Sequence, residues 1–217
     1  MAYRATEFTE SRKAQTRARL LKEARKLVSQ DGFRGLSIAE VARRSAIATG
    51  TVYRYFPSKS ELCVAVFEAA TQREIDAVTA ASAQPEGPVQ QLHAALECFI
   101  QRAMQNPNLA YALIAEPVDP ELEQTRLNYR AQWAEVFSRL LLKGIQQGVF
   151  IPQPENLCAT ALVGAMAETV IIPLQQARHH ASSIDSKIHT IHTPTQAHCQ
   201  QIIAFCLRAV VKPEHTP

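Results

Sequence analysis

Residues 37–56 read SIAEVARRSAIATGTVYRYF, and this stretch decides the fold. Ser37 precedes an apolar pattern, and Glu40 stands three residues later, the spacing of a capping box. A short helix over 38–44 would turn Ile38, Val41 and Ala42 to one side. Ile47 fills a turn. A second short helix starts at Ala48 or Thr49 and reaches Phe56. Val52 and Phe56, at i and i+4, plug it into the same small core. Thr49, Thr51, Tyr53, Arg54 and Tyr55 are left outside. That face is short, narrow and polar, which suits a major groove about 12 Å wide. This is the pattern of a helix-turn-helix, although two short helices at this spacing also form the corner of an ordinary bundle.

Charge along the chain favours the first reading. Residues 1–60 hold 13 of the 23 Lys and Arg and only 5 of the 20 Asp and Glu, a net of +8, and the remainder carries −5. A basic first quarter on an acidic body is the footprint of a polyanion-binding head. Ser11 to Gln30 forms an amphipathic basic helix, with Leu20, Leu21, Ala24, Leu27 and Val28 on one face and Arg12, Lys13, Arg17, Arg19, Lys22, Arg25 and Lys26 around the rest. Residues 1–10 read as frayed, and Asp31-Gly32 ends the helix.

Outward from the head the chain stays helical. Seven glycines in 217 residues and an apolar share of 47% indicate an all-α protein with a full core. Ser58 caps a long helix from Lys59 to about Ser82, and Gln84 to Pro88 reads as a linker. Further helices are expected near 89–105, 108–115, 120–147, 154–179 and 195–211, about nine in all. The domain boundaries follow: a head over 1–57, a connecting helix over 58–84 and a helical body over 85–217.

Several function classes drop out. No run of about 18 apolar residues is present, so no membrane span is expected. The N-terminus lacks the apolar stretch of a signal peptide. The five cysteines are scattered and odd in number, which suggests reduced thiols and a cytoplasmic location. His179, His180, His189, His192 and His198 beside Cys199 have no zinc-ligand spacing, and the stretch over 181–194 reads as a polar connection. No metal or cofactor is expected. No phosphate loop, dinucleotide motif or nucleophile context is present, so the chain does not read as an enzyme.

Residues 10–70 resemble the TetR family of bacterial transcriptional regulators. The basic first helix carries the resemblance, followed by GFRGLSIAEVARRSAIATGTVYRYFPSKSELCVAV. One departure is Ala46, where helix-turn-helix proteins often have Gly; a right-handed turn residue is expected there. The resemblance implies a homodimer that binds a palindromic DNA operator through its paired third helices. It implies phosphate contacts from Ser37 and Lys59, and phosphate, sugar or thymine contacts from Tyr53 and Tyr55. Thr49, Gly50, Thr51 and Arg54 would approach base edges. Arg54 is the one bidentate donor on that helix, the chemistry that reads guanine, although phosphate contact is its alternative. Arg43 and Arg44 read as steering or solvent charges.

The resemblance also implies a small-molecule effector in the body. Phe99, Met104, Tyr111, Leu113, Trp133, Phe137 and Met166 are the candidate lining for an apolar or amphipathic ligand, and Glu116 and Arg130 could orient a polar group. Plain core packing is the competing reading for each of the apolar residues, and a solvated or salt-bridged pair is that for Glu116 and Arg130. The helices over 154–179 and 195–211 are apolar round much of their circumference, which suits either a four-helix dimer interface or an internal core. Two functions therefore stand: a ligand-released repressor, and a DNA-binding protein of the same fold that binds a partner and no small ligand.

Overall fold

The computed structural model describes residues 2–83, 86–182 and 196–215, with the side chains of 2–8, 179–182 and 196 left aside. The predicted polar connection beyond Ser182, with His189 and His192, falls outside what is described, as do the side chains of His179 and His180. Among the described residues there are nine α-helices: α1 Ala2–Asp31, α2 Ile38–Arg44, α3 Thr49–Tyr53, α4 Lys59–Ser82, α5 Pro88–Gln105, α6 Pro107–Ile114, α7 Pro120–Gln146, α8 Glu155–Ser182 and α9 Gln196–Arg208.

Local chemistry explains most of the boundaries. The Ser37 and Ser58 hydroxyls accept from the Glu40 and Glu61 amides at 3.4 and 3.0 Å. Asn106 and Asp119 do the same for the Leu109 and Leu122 amides, and each is followed by a proline at the first helical position.

Three boundaries differ from expectation. Helix α1 begins at Ala2 rather than near Ser11, because no Gly or Pro interrupts the ladder before Gly32. Helix α3 stops at Tyr53, and the Tyr55 and Phe56 amides both turn back to the Val52 carbonyl. Helix α9 ends at Arg208 because the chain beyond it pairs with residues 149–151: the Ile151 amide donates to the Val210 carbonyl at 2.8 Å, and Lys212 to Val149 at 3.1 Å.

Two apolar cores result. The head core joins Leu20, Ala24, Leu27 and Val28 of α1 with Val41, Ala42, Val52 and Phe56, and with Leu62, Val66 and Phe67 of α4. It does not stop at the head: Leu109 and Ala112 of α6 and Leu122 of α7 close it from below. The body core takes the rest of α4 from Ile75 onward and helices α5 to α9. Helix α4 thus runs from one core into the other.

Helix α8 bears on the expectation that no membrane span is present. Over Glu155–Arg178 it is long and apolar enough to cross a membrane by length and composition. Its apolar residues are interleaved with Thr, Gly and Glu, so they form no continuous run. One face, Ala159, Leu162, Met166, Val170 and Leu174, is buried in the body core. The other leaves Leu157 and Ile172 exposed at 68% and 64%, and Phe205 on α9 is exposed too.

Ala46 is not right-handed. Its φ is +52°, the left-handed region in which a Cβ is crowded by the following carbonyl. The turn between α2 and α3 needs that conformation, since the Ala46 and Ile47 amides reach back to the Arg43 and Ala42 carbonyls at 3.2 and 3.1 Å. Ala46→Gly should therefore raise the unfolding free energy by about 1 kcal/mol in urea titrations, with the m-value unchanged.

Candidate nucleic-acid interface and effector cavity

Helix α3 is held by two anchors. Val52 and Phe56 are 0% and 2% exposed in the head core. Their burial turns the opposite side of the helix outward. Thr49, Gly50, Tyr53 and Arg54 are exposed, and Thr51 and Tyr55 are half-buried. A Cβ built on Gly50 would meet nothing within 4 Å, so this face is open to a large partner. Arg54 follows the last helical residue, and its side chain has no hydrogen bond or ion pair among the described residues.

Ser37 is exposed at the start of α2, and Lys59 is exposed at the start of α4, with its Nζ 3.4 Å from the Arg34 carbonyl. Of the eight residues expected to meet DNA, Thr49, Gly50, Thr51 and Tyr53 stand on α3, Arg54 and Tyr55 follow its end, and Ser37 and Lys59 stand at the starts of α2 and α4. Arg43 and Arg44 are spent within the head. Both pair with Glu40, at 2.6 and 2.7 Å, and these partners hold the Glu40 carboxyl down at about 2.

Arg17 was not singled out by sequence. Its guanidinium lies 5.1 Å from the Phe56 ring centroid, which lids the head core and places a cation beside the end of α3. The basic stripe of α1 contains this residue, but spacing alone could not say which arginine crosses to Phe56.

Below the head lies a cavity of about 700 Å3. Phe99, Leu113, Arg130, Trp133 and Met166 line it, as expected for part of the candidate set. The other four do not. Phe137 is fully buried in the body core, and Met104 packs against that core. Tyr111 lies under the Arg178 guanidinium, 4.0 Å from its ring centroid. Glu116 instead accepts from two backbone amides after α1.

The cavity also uses residues that sequence reading left out: Arg25 of α1, Phe67, Thr71 and Glu74 of α4, and Arg126 and Tyr129 of α7. Phe67, Thr71, Glu74 and Val78 recur at i, i+4, i+7 and i+11, one face of a helix. That periodicity was available in the sequence; what it faced was not. The Phe99 and Trp133 rings meet edge to face at 5.4 Å, and Phe67 and Tyr129 do so at 5.6 Å. Glu74 and Arg102 close on each other as a two-pronged ion pair at 2.5 and 3.0 Å. The Thr71 hydroxyl is buried with no partner among the described residues. No group of three metal-ligating side chains exists among them.

These features have recognisable relatives. Residues 20–66 match the family profile described as bacterial regulatory proteins, tetR family. The N-terminal head is a TetR-family domain. That kinship is with regulators, not enzymes. The chain is 31% identical over 99 residues to the HTH-type transcriptional repressor KstR of Rhodococcus jostii, covering 45% of each protein. It therefore spans about half the length of that repressor. It is 25% identical over 171 residues to the nucleoid occlusion factor SlmA of Mannheimia succiniciproducens, covering 71% of this chain and 77% of the relative. In fold it matches the transcriptional regulator FadR of Bacillus subtilis, solved with stearoyl-CoA, with a TM-score of 0.70, 16% identity, and coverage of 87% of this chain and 96% of that one.

One contact ties the TetR-family head to the body. Glu116, 5% exposed, accepts from the Phe33 amide at 2.9 Å and from the Arg34 amide at 3.1 Å. Gly32 permits the approach: its φ is +72°, and a side chain there would overlap the carboxylate. From the other side Arg126, also buried, donates to the Glu116 carbonyl at 2.8 Å and to the Ala112 and Leu113 carbonyls at 3.3 and 3.1 Å. Its burial lowers the guanidinium pKa from the ordinary value, and Glu123 opposes that fall. Glu116→Ala would strand two amides of the loop, one of them buried. It should lower the unfolding free energy by about 2–3 kcal/mol in chemical denaturation, with Glu116→Gln recovering part of the loss.

Proposed function

We propose that two copies of this chain bind a palindromic DNA operator through α3 and repress transcription, and that an apolar or amphipathic effector in the cavity releases them. The observation that carries the first half is the α3 face, which is exposed and polar and rests on the buried pair Val52 and Phe56. Thr49, Gly50, Thr51 and Arg54 approach base edges, while Ser37, Tyr53, Tyr55 and Lys59 hold phosphates and sugars. KstR, a relative over this region, is named a transcriptional repressor.

The cavity supports the second half. At about 700 Å3, with aromatic and aliphatic walls and a few polar groups, it has the size and lining of a small-molecule site. FadR, a neighbour in fold, was solved with stearoyl-CoA. The cavity weighs against the partner-only reading.

The exposed apolar side chains of α8 and α9, Leu157, Ile172 and Phe205, supply the surface for the second copy. Paired α3 helices must match successive major grooves, about 34 Å apart, so a small change in head separation costs specific affinity. A cytoplasmic location follows from that task.

Operator binding by the purified protein, measured across a salt series, tests this reading. Lys59→Ala should weaken all duplexes alike and lower the salt slope by about 0.9. Arg54→Ala should cost about 1–3 kcal/mol on the operator and relax preference at one base pair per half-site. An Arg54→Ala protein with unchanged base preference would show that the residue holds a phosphate instead.

A further inference from the structure

We propose that the cavity takes an amphipathic anion whose charged group is held between Arg25 of the head and Arg130 of the body. The proposal rests on the effector reading above and names the ligand's chemistry.

The charges around the cavity do not balance. Arg102 is closed on Glu74, and Arg126 is occupied by three carbonyls and by Glu123 at 2.5 Å. Arg25, half-buried, and Arg130, exposed at the cavity's edge, also line it, and neither side chain has a hydrogen bond or ion pair among the described residues. Glu168 of α8 is the one lining carboxylate left over, and it too is unpaired there. Two free guanidinium groups against one free carboxylate leave a surplus of one positive charge beside an apolar chamber. A monoanion cancels it, and two arginines offer the forked donors that a carboxylate accepts.

The lining also extends along α4 and α7 from one core to the other. At the head end stand Phe67, Arg126 and Tyr129, which belong to or touch the head core or its Glu116 junction. Farther along α4 and α7 come Val78 and Trp133, in the body core. From Phe67 to Val78 is about 16 Å of helix, so the chamber is long enough for a head and a tail. The Thr71 hydroxyl, 5% exposed and without a partner among the described residues, lies one turn beyond Phe67 and has a hydrogen bond to give. The apolar tail then extends toward Trp133 and Met166.

Arg25 sits on α1, the first helix of the DNA-binding head, and Arg130 sits on α7 of the body. An anion between them adds a contact that links the two units directly, beyond any change it makes to the chamber's shape.

Trp133, the only tryptophan, lines the chamber and reports binding. The full chain is titrated near neutral pH, below micellar concentrations, with three probes of equal tail length: laurate, dodecanol and dodecyltrimethylammonium. Laurate should shift the Trp133 fluorescence and bind at least tenfold tighter than dodecanol, with the cationic probe weakest. Arg25→Gln and Arg130→Gln should each cost laurate about tenfold and leave dodecanol unchanged, which also shows that the chamber is intact. Lys22→Gln, which removes an exposed charge from α1 away from the lining, should change neither. Dodecanol binding as tightly as laurate, or laurate binding unmoved by Arg25→Gln, overturns the proposal. If no probe perturbs Trp133, the effector reading falls with it.

Discussion

A carboxylate reaching eighty residues back along the chain holds this molecule in one piece. Glu116 puts both its oxygens on the backbone amides that follow the first helix, and the loop can present them only because residue 32 is a glycine in the left-handed conformation. A buried carboxylate is costly unless its lone pairs are filled. Here two amides satisfy it, and Arg126 binds the Glu116 backbone from the other side. The head is therefore not a bead on a string. Its core continues into Leu109, Ala112 and Leu122, so the position of α3 depends on α6 and α7 as well as on its own neighbours.

Under the proposed function, that arrangement gives an effector in the cavity a physical route to the outward face of α3. Phe67 belongs to the head core and to the cavity wall at once, and Tyr129 touches both cores. Close-packed interiors do not deform continuously; a guest that displaces the Tyr129 ring forces Phe67 to another position or excludes itself. Phe67 lies eight residues along α4 from Lys59, about 12 Å by helical rise, which brings the disturbance close to the α2 and α3 side of the head. Coupling on this scale needs no path of special residues, only two packings of one shared side chain.

Much of this was legible in the sequence, for reasons that can be named. Caps declare themselves: Ser37 and Ser58 each carry the hydroxyl that an open helix end requires, and the boundaries of α2 and α4 followed from them. The outward face of α3 was equally readable, because burying Val52 and Phe56 leaves the other side chains nowhere else to go. The cavity was readable only in part. Trp133 and Phe99 look like core residues from spacing alone, and Phe137 is one. Spacing assigns a side chain to a face, but the void in front of that face is set by how three or four helices meet.

The same limit explains Glu116 and Ala46. Glu116 reads in the sequence as a group to orient a ligand or as half of a solvated or salt-bridged pair, and nothing near it reveals that two amides at positions 33 and 34 are waiting. Ala46 fails in the opposite sense. Alanine tolerates a right-handed turn, so propensity put it there, yet the Ala46 and Ile47 amides must both reach back to α2 and only the left-handed conformation allows it. Local preference lost to the fixed distance between α2 and α3, and that distance is set by Val41, Ala42 and Val52 meeting in the head core. The turn is strained so that α3 can stand where its buried side requires.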